Sequence, residues 1–307
     1  MKGKRDFLGV LDLSRKEFLG LIDAAAKIKK KPQAFAGTLK GKSLLMVFEA
    51  PSLRTRLSFE SGMTQLGGHA IAYNLGESTV GKKESAEDFA RTFSRYCDAA
   101  ALRLYDHTML ERIAKASSIP VINMMTNAEH PCQILGDFMT IAEKKTLKKI
   151  KIAYVGDGDN NVTYSLMLAS ALLGIDIAVA SPKNYQPKNE VVNKGKRVAK
   201  GSIHITHNPG EAVKDADVVY TDTWMSYRIP ESEKPERVRK FSPYQVNASL
   251  MKKAPKALFM HCLPAGRGYE VTDEVIDGKQ SMVFDQAENR MHAQKALILW
   301  LLGKMKI

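Results

Sequence analysis

Short apolar segments alternate with helix-like segments along the whole chain of 307 residues. Between Glu84 and Tyr96, for example, Phe89, Phe93 and Tyr96 recur at the spacing of one helix face. The strand-like segments of the first half are Ser43–Glu49, His69–Asn74, Ala99–Tyr105 and Pro120–Met124. Apolar strands that alternate with helices are typical of parallel sheets covered by helices on both faces. The pattern therefore predicts an α/β fold.

The alternation restarts after a charged segment, EKKTLKKIK, at residues 143–151. The strand-like segments that follow are IKIAYVGD, IDIAVASP, SIHITHN, DADVVYTD and KALFMHCLP. A chain of this length suits two domains of ordinary size. We therefore predict two doubly wound parallel-sheet domains, residues 1–146 and 147–286, linked by terminal helices. The C-terminal helix, residues 287–307, is expected to pack back on the first domain.

Composition and cysteine spacing exclude several classes of protein. No apolar run approaches the length that crosses a bilayer, and the first residues, MKGKRDFLGV, lack the apolar core of a secretory signal. Cys97, Cys132 and Cys262 are widely spaced and odd in number, which fits neither a disulfide framework nor a Cys-x-x-Cys metal site. We expect a cytoplasmic protein that uses no membrane, metal or cofactor.

The net charge of +13 comes from lysines spread along the chain. A lysine-rich solvated surface explains it, and steering of anionic substrates or binding of nucleic acid are the alternatives. The lysines do not interleave with aromatic residues, as a surface that stacks bases requires. The pattern therefore argues against a nucleic-acid partner.

A cluster of hydroxyl and guanidinium groups, Ser52-Leu53-Arg54-Thr55-Arg56, follows a strand and opens a helix. Backbone N–H groups at a helix N-terminus bind anions, and arginine adds bidentate phosphate geometry. No G-x-x-x-x-G-K precedes the cluster, so it is not a Walker loop. A phosphate site is one interpretation, and a capped helix start with surface arginines is the other.

The segment EHPCQIL places His130 and Gln133 three residues apart at the start of a second helix. Side chains at this spacing share a helix face and can hydrogen-bond an amide or carbamoyl group from two directions. The alternative is a histidine that only caps the helix. Both interpretations remain open from the residues alone.

The segment VGDGDNN offers Gly156 and Gly158, but Asn161 stands where a dinucleotide fingerprint needs its third glycine. A polar loop that presents Asn160 and Asn161 to a small ligand is the preferred interpretation. Two further polar residues follow predicted strands. Asp222 ends a later strand, where its carboxylate can hold a cationic amine, and the alternative is an aspartate that only caps a helix or forms a turn. Cys262 follows an apolar segment, where a cysteine is commonly a small, buried apolar residue.

Five motifs in one order, Ser-x-Arg-Thr-Arg, His-Pro-x-Gln, Asn-Asn, Asp-x-Trp-x-Ser and His-Cys-Leu-Pro, together resemble the carbamoyltransferase family. His-Cys-Leu-Pro combined with Glu288-Asn289-Arg290 resembles its ornithine branch. The resemblance implies transfer of a carbamoyl group from carbamoyl phosphate to the side-chain amine of L-ornithine, which gives L-citrulline and phosphate. It also implies a homotrimer or a multiple of trimers, and closure of the domains over the first substrate.

The resemblance carries over a set of site residues. Those implied to bind carbamoyl phosphate are Ser52, Leu53 (through its backbone), Arg54, Thr55, Thr79, Arg103, His130, Gln133, Cys262, Leu263 and Arg290. Those implied to hold ornithine are Asn161, Asp222, Ser226 and Tyr227. Within these sets, the residues implied to be catalytic are Arg54, Thr55, Arg103, His130 and Cys262.

The chain departs from the family pattern at three places. Ser226-Tyr227-Arg228 replaces the usual Ser-Met-Gly, and Leu53 replaces a threonine. Thr79 stands near the position where the family usually has a glutamine that reaches into the site of a neighbouring subunit. Because Arg228 adds a cation, an acylated ornithine is an alternative substrate, and putrescine is another. From other classes, a nicotinamide-binding oxidoreductase and a basic, catalytically silent binding module remain as alternatives.

Overall fold

A computed structural model describes residues 4–77, 80, 83–226 and 229–307. The chain divides into two compact units: unit 1 is Met1–Met139 with Glu288–Ile307, and unit 2 is Thr140–Ala287. Thr79, Tyr227 and Arg228, which the sequence analysis singled out, lie outside the described residues. Among the helices that are described, none is both long and apolar enough to span a membrane.

The strands follow the apolar segments closely. They are β1 (Ser43–Phe48), β2 (His69–Asn74), β3 (Ala99–Arg103), β4 (Val121–Met125), β5 (Lys151–Val155), β6 (Asp176–Ala180), β7 (Ile203–Thr206), β8 (Val218–Thr221) and β9 (Leu258–His261). β1, β3 and β4 are almost fully buried, as expected for strands covered on both faces.

The helices lie between the strands and at the two ends of the chain. They are α1 (Arg15–Lys30), α2 (Leu53–Gln65), α3 (Ala86–Phe93), α4 (His107–Ala116), α5 (Pro131–Lys144), α6 (Asn161–Leu173), α7 (Asn189–Val198), α8 (Pro209–Val213), α9 (Lys234–Phe241), α10 (Ala248–Met251), α11 (Asp273–Ile276) and α12 (Val283–Leu301).

In both units the described strands pair in parallel. The sheet of unit 1 has the order β2-β1-β3-β4, and that of unit 2 has the order β7-β6-β5-β8-β9. The winding direction reverses between β1 and β3 and again between β5 and β8, and such reversals open a crevice at the carboxyl ends of the strands. The predicted α/β fold with two parallel sheets is thereby confirmed.

The terminal helices meet within unit 1. Helix α1 begins with a capping box, in which Ser14 Oγ accepts from Glu17 N at 3.3 Å and Glu17 Oε2 accepts from Ser14 N at 2.8 Å. At its other end, Lys29 Nζ donates to Asn289 Oδ1 of α12 at 2.8 Å. This bond connects the first and last helices.

One helix ends earlier than its periodicity predicts. Tyr96 lies beyond α3 and is exposed, whereas Phe89 and Phe93 are buried. Ser94 Oγ donates to Ala90 O at 2.6 Å at the end of the helix, and Asp98 accepts a hydrogen bond from Ser43 N at 2.9 Å, next to the start of β1. The periodicity does not record these contacts, so it overestimated the length of the helix.

Candidate active site

The residues between β1 and the first turn of α2 are candidates for binding an anion. The segment Ser52, Leu53, Arg54 and Thr55 is called the anion cradle below. Ser52 caps α2, and its Oγ lies 3.4 Å from Thr55 N and 3.0 Å from Thr55 Oγ1. The first N–H groups of a helix have no intrahelical acceptor, so they point out of the helix together with the positive end of its dipole. The anion cradle therefore has the geometry of an anion site.

The two arginines of this segment have different surroundings. Arg56 is exposed, and its Nε pairs with Glu60 Oε1 at 2.8 Å, one turn along the same helix face. Arg54 is half-buried. Arg54 is therefore the candidate for binding an anion, whereas Arg56 serves a surface ion pair.

Arg290, on α12, reaches the anion cradle. Its Nη2 donates to Thr55 Oγ1 at 2.8 Å, and the side chain is buried. A Cβ added to Gly136 of α5 would lie 3.0 Å from the Arg290 Cα, so the close approach of the two helices requires a glycine there. The structure thus brings together Arg290 and Thr55, two of the residues that the resemblance singled out.

Arg103 and His130 are buried in unit 1 at the carboxyl end of β3 and just before α5. Burial, followed by the positive charges of Arg290 and Arg103, holds the pKa of His130 well below its usual value of 6.5. His130 is therefore neutral at physiological pH. A neutral ring next to two guanidinium groups can donate one hydrogen bond without adding further positive charge.

Gln133 lies in the first turn of α5 and is almost completely buried. Its Nε2 donates to Asp137 Oδ1 at 2.7 Å. Asp137 is itself fully buried. The sequence analysis did not single out Asp137, although a carboxylate four residues after Gln133 on one helix face is the signal by which it could have been found.

The candidate residues of unit 2 lie at the ends of β8 and β9. Cys262 Sγ donates to Asp222 Oδ1 at 3.0 Å, so the structure brings these two predicted residues together. Burial raises the pKa of the Asp222 carboxyl, and the nearby His261 and the Cys262 thiol offset part of this rise. A buried carboxylate with a raised pKa is stabilised by a cation, which makes Asp222 suited to hold an ammonium group.

The segment around Cys262 is held by the side chain of Glu270. His261 Nε2 lies 3.2 Å from Glu270 Oε1, and His261 Nδ1 accepts from Leu263 N at 2.9 Å. Leu263 has a positive φ of 57°, which is rare for a bulky residue and occurs where neighbouring contacts enforce it. Sequence reasoning missed Glu270, because nothing in its local pattern marks it as buried.

Asp222, His261 and Cys262 also have the side-chain types of a metal site, since their potential ligand atoms all lie within 4.8 Å of one another. Spacing in the sequence did not reveal this cluster. Both ring nitrogens of His261 already have protein hydrogen-bond partners, so metal binding would require those bonds to break. The arrangement therefore fits a hydrogen-bonded segment better than a metal centre.

The two asparagines after β5 have separate roles. Asn160 caps α6, accepts from Thr163 N at 2.8 Å, and donates to Tyr154 Oη at 2.9 Å and to Asp157 O at 2.6 Å. The expectation that both asparagines are presented to a ligand is therefore wrong for Asn160, whose amide serves the helix start. Asn161, the first residue of α6, is half-buried.

The loop after β8 is supported by Arg237, a buried residue that sequence reasoning missed. Its Nε donates to Trp224 O at 2.6 Å, and its Nη2 pairs with the buried Asp157 carboxylate. The guanidinium also lies 4.9 Å from the Phe241 ring centre. Most of the residues around it in the helix, such as Glu236, Arg239 and Lys240, are charged, so the local sequence does not predict its burial. Ser226, at the end of this loop, is exposed.

A cavity of about 180 Å³ adjoins the same loop. Its lining is mostly apolar and includes one cation, and the residues are Thr223, Trp224, Met225, Lys234, Val238, Gly266, Tyr269 and Glu270. Because Thr223 directly follows Asp222 and Glu270 bonds His261, the cavity lies beside the candidate residues of unit 2.

Comparison with known proteins agrees with this arrangement along the whole chain. Residues 5–143 match the family model described as aspartate/ornithine carbamoyltransferase, carbamoyl-P binding domain. Residues 148–301 match the one described as aspartate/ornithine carbamoyltransferase, Asp/Orn binding domain. Together, the two matches cover well over half of the sequence.

Individual relatives are similar over almost their full lengths. The ornithine carbamoyltransferase of Methanosarcina acetivorans is 50% identical over 303 residues, which cover 97% of this chain and 99% of that protein. The solved ornithine carbamoyltransferase of Pyrococcus furiosus is 46% identical with a TM-score of 0.94, and 99% of each chain is covered. The ornithine transcarbamoylase of Giardia lamblia is 39% identical with a TM-score of 0.90, with 99% of this chain and 100% of that chain covered. The chain belongs to the aspartate/ornithine carbamoyltransferase family.

Proposed function

We propose that this protein transfers the carbamoyl group of carbamoyl phosphate to the δ-amine of L-ornithine, which yields L-citrulline and phosphate. The observation that carries the proposal is the buried cluster in unit 1. There, Arg290 donates a hydrogen bond to Thr55 of the anion cradle, and the positive charges of Arg290 and Arg103, together with burial, keep His130 neutral by lowering its pKa. Relatives of 46–50% identity that bear the name ornithine carbamoyltransferase support the choice of substrates.

The proposal assigns roles to residues of unit 1. The N–H groups and hydroxyls of the anion cradle, with the guanidinium groups of Arg54 and Arg103, bind the phosphate. His130 donates to the carbamoyl oxygen. Gln133, Cys262, Leu263 and Arg290 are proposed to make further contacts to carbamoyl phosphate. Thr79, which lies outside the described residues, is proposed to contribute as well.

Residues of unit 2 are proposed to hold ornithine. Asp222 pairs with the α-ammonium group, which the raised pKa of its buried carboxyl favours when a cation is present. Asn161, Ser226 and Tyr227 are proposed to bind the α-amino and α-carboxylate ends. The Cys262 thiol, hydrogen-bonded to Asp222, is proposed to lie next to the attacking amine.

The reaction needs no covalent intermediate with the protein. The neutral δ-amine attacks the carbamoyl carbon, negative charge develops on the carbonyl oxygen, and the bond to the phosphate oxygen then breaks. The leaving phosphate accepts the proton that the amine loses. Donors placed where this charge develops stabilise the transition state, and each is typically worth ~3–4 kcal/mol.

A citrulline assay with a panel of amines tests the proposal. Carbamoyl phosphate is supplied with ornithine, an N-acylated ornithine, putrescine or aspartate, and both the ureido product and phosphate are measured. We expect ornithine to give the highest kcat/KM. A higher kcat/KM with the acylated ornithine or putrescine would contradict the assignment of ornithine, and the absence of product with every amine would contradict carbamoyl transfer.

We also propose that the protein is a cytoplasmic homotrimer, or a multiple of trimers, with small-molecule substrates and no nucleic-acid or membrane partner. An exposed apolar face in unit 1 supports self-association, because Leu53 and Leu57 of α2 are 69% and 51% exposed and Ile71 and Tyr73 lie exposed on the edge strand β2. Large apolar side chains that remain exposed in neighbouring elements favour an interface, because their burial removes apolar surface from water.

Replacing Leu57 by aspartate is expected to dissociate the oligomer, because a carboxylate buried in an apolar interface loses its hydration. Sedimentation velocity should change from a species of about three chains, the count that family resemblance implies, to single chains, with an unchanged circular dichroism spectrum. Phe284→Asp is the matched control, since Phe284 is 69% exposed on α12. Retention of the wild-type sedimentation coefficient by Leu57→Asp would contradict this interface.

A further inference from the structure

We propose that Asp137 is a positioning residue that makes the site selective for a carbamoyl group over an acetyl group. It acts by holding the Gln133 amide with its oxygen available to the NH₂ of the carbamoyl group. This role rests on the proposed function and specifies how the donor is recognised.

The geometry of the pair is well defined. Gln133 and Asp137 lie on successive turns of α5, are 1% and 0% exposed, and are joined by a hydrogen bond of 2.7 Å from Gln133 Nε2 to Asp137 Oδ1. Burial on one helix face leaves the two side chains few alternative rotamers. His130 lies one turn before Gln133, so this helix start carries both residues proposed to contact the carbamoyl group.

Hydrogen-bond chemistry then decides which end of the amide faces the ligand. A carboxylate only accepts hydrogen bonds, whereas a primary amide has one donor end and one acceptor end. Asp137 therefore selects the Nε2 end of Gln133 and leaves Oε1 directed elsewhere. Gln133 Oε1 is buried and has no hydrogen-bond partner within the described part of the chain. A buried acceptor in this state is stabilised by a ligand that supplies an N–H group.

The other groups proposed to bind the same substrate differ from this acceptor. The guanidinium groups of Arg54, Arg103 and Arg290 can only donate hydrogen bonds, so they suit the phosphate and carbonyl oxygens of carbamoyl phosphate. The NH₂ of a carbamoyl group needs an acceptor, and Gln133 Oε1 supplies one. Acetyl phosphate has the same phosphate and carbonyl groups but a methyl group in place of the NH₂, so it cannot satisfy this oxygen.

The experiment compares the binding of carbamoyl phosphate and of acetyl phosphate to the wild-type protein and to the Asp137→Asn variant. The KM for carbamoyl phosphate and the inhibition constant of acetyl phosphate, measured as a competitor of carbamoyl phosphate, give a selectivity ratio. An asparagine offers both a donor and an acceptor, so the Gln133 amide can turn its NH₂ to the ligand. We expect the preference for carbamoyl phosphate to fall roughly tenfold, the usual effect of a mispaired buried hydrogen bond.

Three further variants separate positioning from general destabilisation. Thr140→Val removes another fully buried polar group from α5 and should lower the melting temperature without changing the selectivity ratio. Gln133→Met, which has no amide, should lose the same selectivity as Asp137→Asn. In the double variant, the second change should cause no further loss of selectivity, because the two residues act through one hydrogen bond.

The outcomes distinguish this role from the proposed function. If wild type makes no citrulline from carbamoyl phosphate, the function itself is contradicted. If wild type is active and Asp137→Asn keeps the wild-type selectivity ratio, the role of Asp137 is overturned. Should Asp137→Asn fail to fold, an unchanged ratio in Gln133→Met overturns it equally, since Gln133 Oε1 would then not recognise the NH₂ group.

Discussion

Arg54→Ala should lower kcat/KM for carbamoyl phosphate by about 10²–10³-fold, the usual cost of losing one donor to a transition-state oxyanion. The half-buried guanidinium of Arg54 stands in the first turn of α2, where the helix dipole also favours an anion. Since its role is proposed to be in binding the phosphate, the free energy of unfolding without substrate should change little. Steady-state kinetics and thermal denaturation measure both quantities.

Arg56→Ala is the matched control two residues away. Arg56 is exposed, and its pairing with Glu60 is a surface ion pair that contributes little to stability. We expect kcat/KM within about twofold of wild type, because such pairs are usually worth less than 1 kcal/mol. Near-normal turnover in Arg54→Ala, or an equal loss in Arg56→Ala, would contradict the anion cradle as described.

Asp222→Asn should lower kcat/KM for ornithine by roughly 30-fold or more, the usual effect of removing one partner from a buried charge pair. The KM for carbamoyl phosphate should remain close to the wild-type value, because Asp222 is proposed to contact only the amino acid. The amide is nearly isosteric and still accepts a hydrogen bond from Cys262. Initial rates at varied concentrations of each substrate separate the two effects.

The same substitution should not destabilise the protein without substrate. Burial raises the pKa of the Asp222 carboxyl, which means that its charged form is unfavourable in the folded state. A neutral amide removes this cost, so the melting temperature should be unchanged or higher. Asp159→Asn, at an exposed carboxylate after β5, is the control and should retain the wild-type KM for ornithine. An unchanged ornithine KM in Asp222→Asn would refute the pairing with the ammonium group.

The fold was largely predictable because its signals are local. The bounds of β2 agree with the predicted segment, those of β1 differ by one residue at one end, and those of β4 differ by one residue at each end. A buried parallel strand needs a short apolar run, and a helix needs its own periodicity, so each element is encoded by its own residues. The prediction was wrong at Tyr96, which lies beyond the end of α3, close to a tertiary contact between Asp98 and the start of β1.

The candidate site was predictable in its residue types but not in its contacts. Motif order and resemblance led to Thr55, Arg290, Asp222 and Cys262, whereas their roles in binding remain proposals. Asp137, Arg237 and Glu270 were missed. The spacing of Asp137 from Gln133 on one helix face could have indicated it, whereas nothing in the local patterns of Arg237 and Glu270 distinguishes a buried charged residue from an exposed one. Asn160 was misassigned, since only its hydrogen bonds show that it caps α6.

By itself, the sequence determined the alternation of strands and helices, the restart that indicates a second sheet, and the order of the motifs. Only the tertiary structure decided which polar groups meet: Arg290 bonds Thr55 across 235 residues of chain, and Arg237 pairs with Asp157 across 80. The physical reason is the range of the interactions. Periodicity reflects neighbouring side chains, whereas the pairing of buried charges depends on the packing of distant segments that excludes water from both partners.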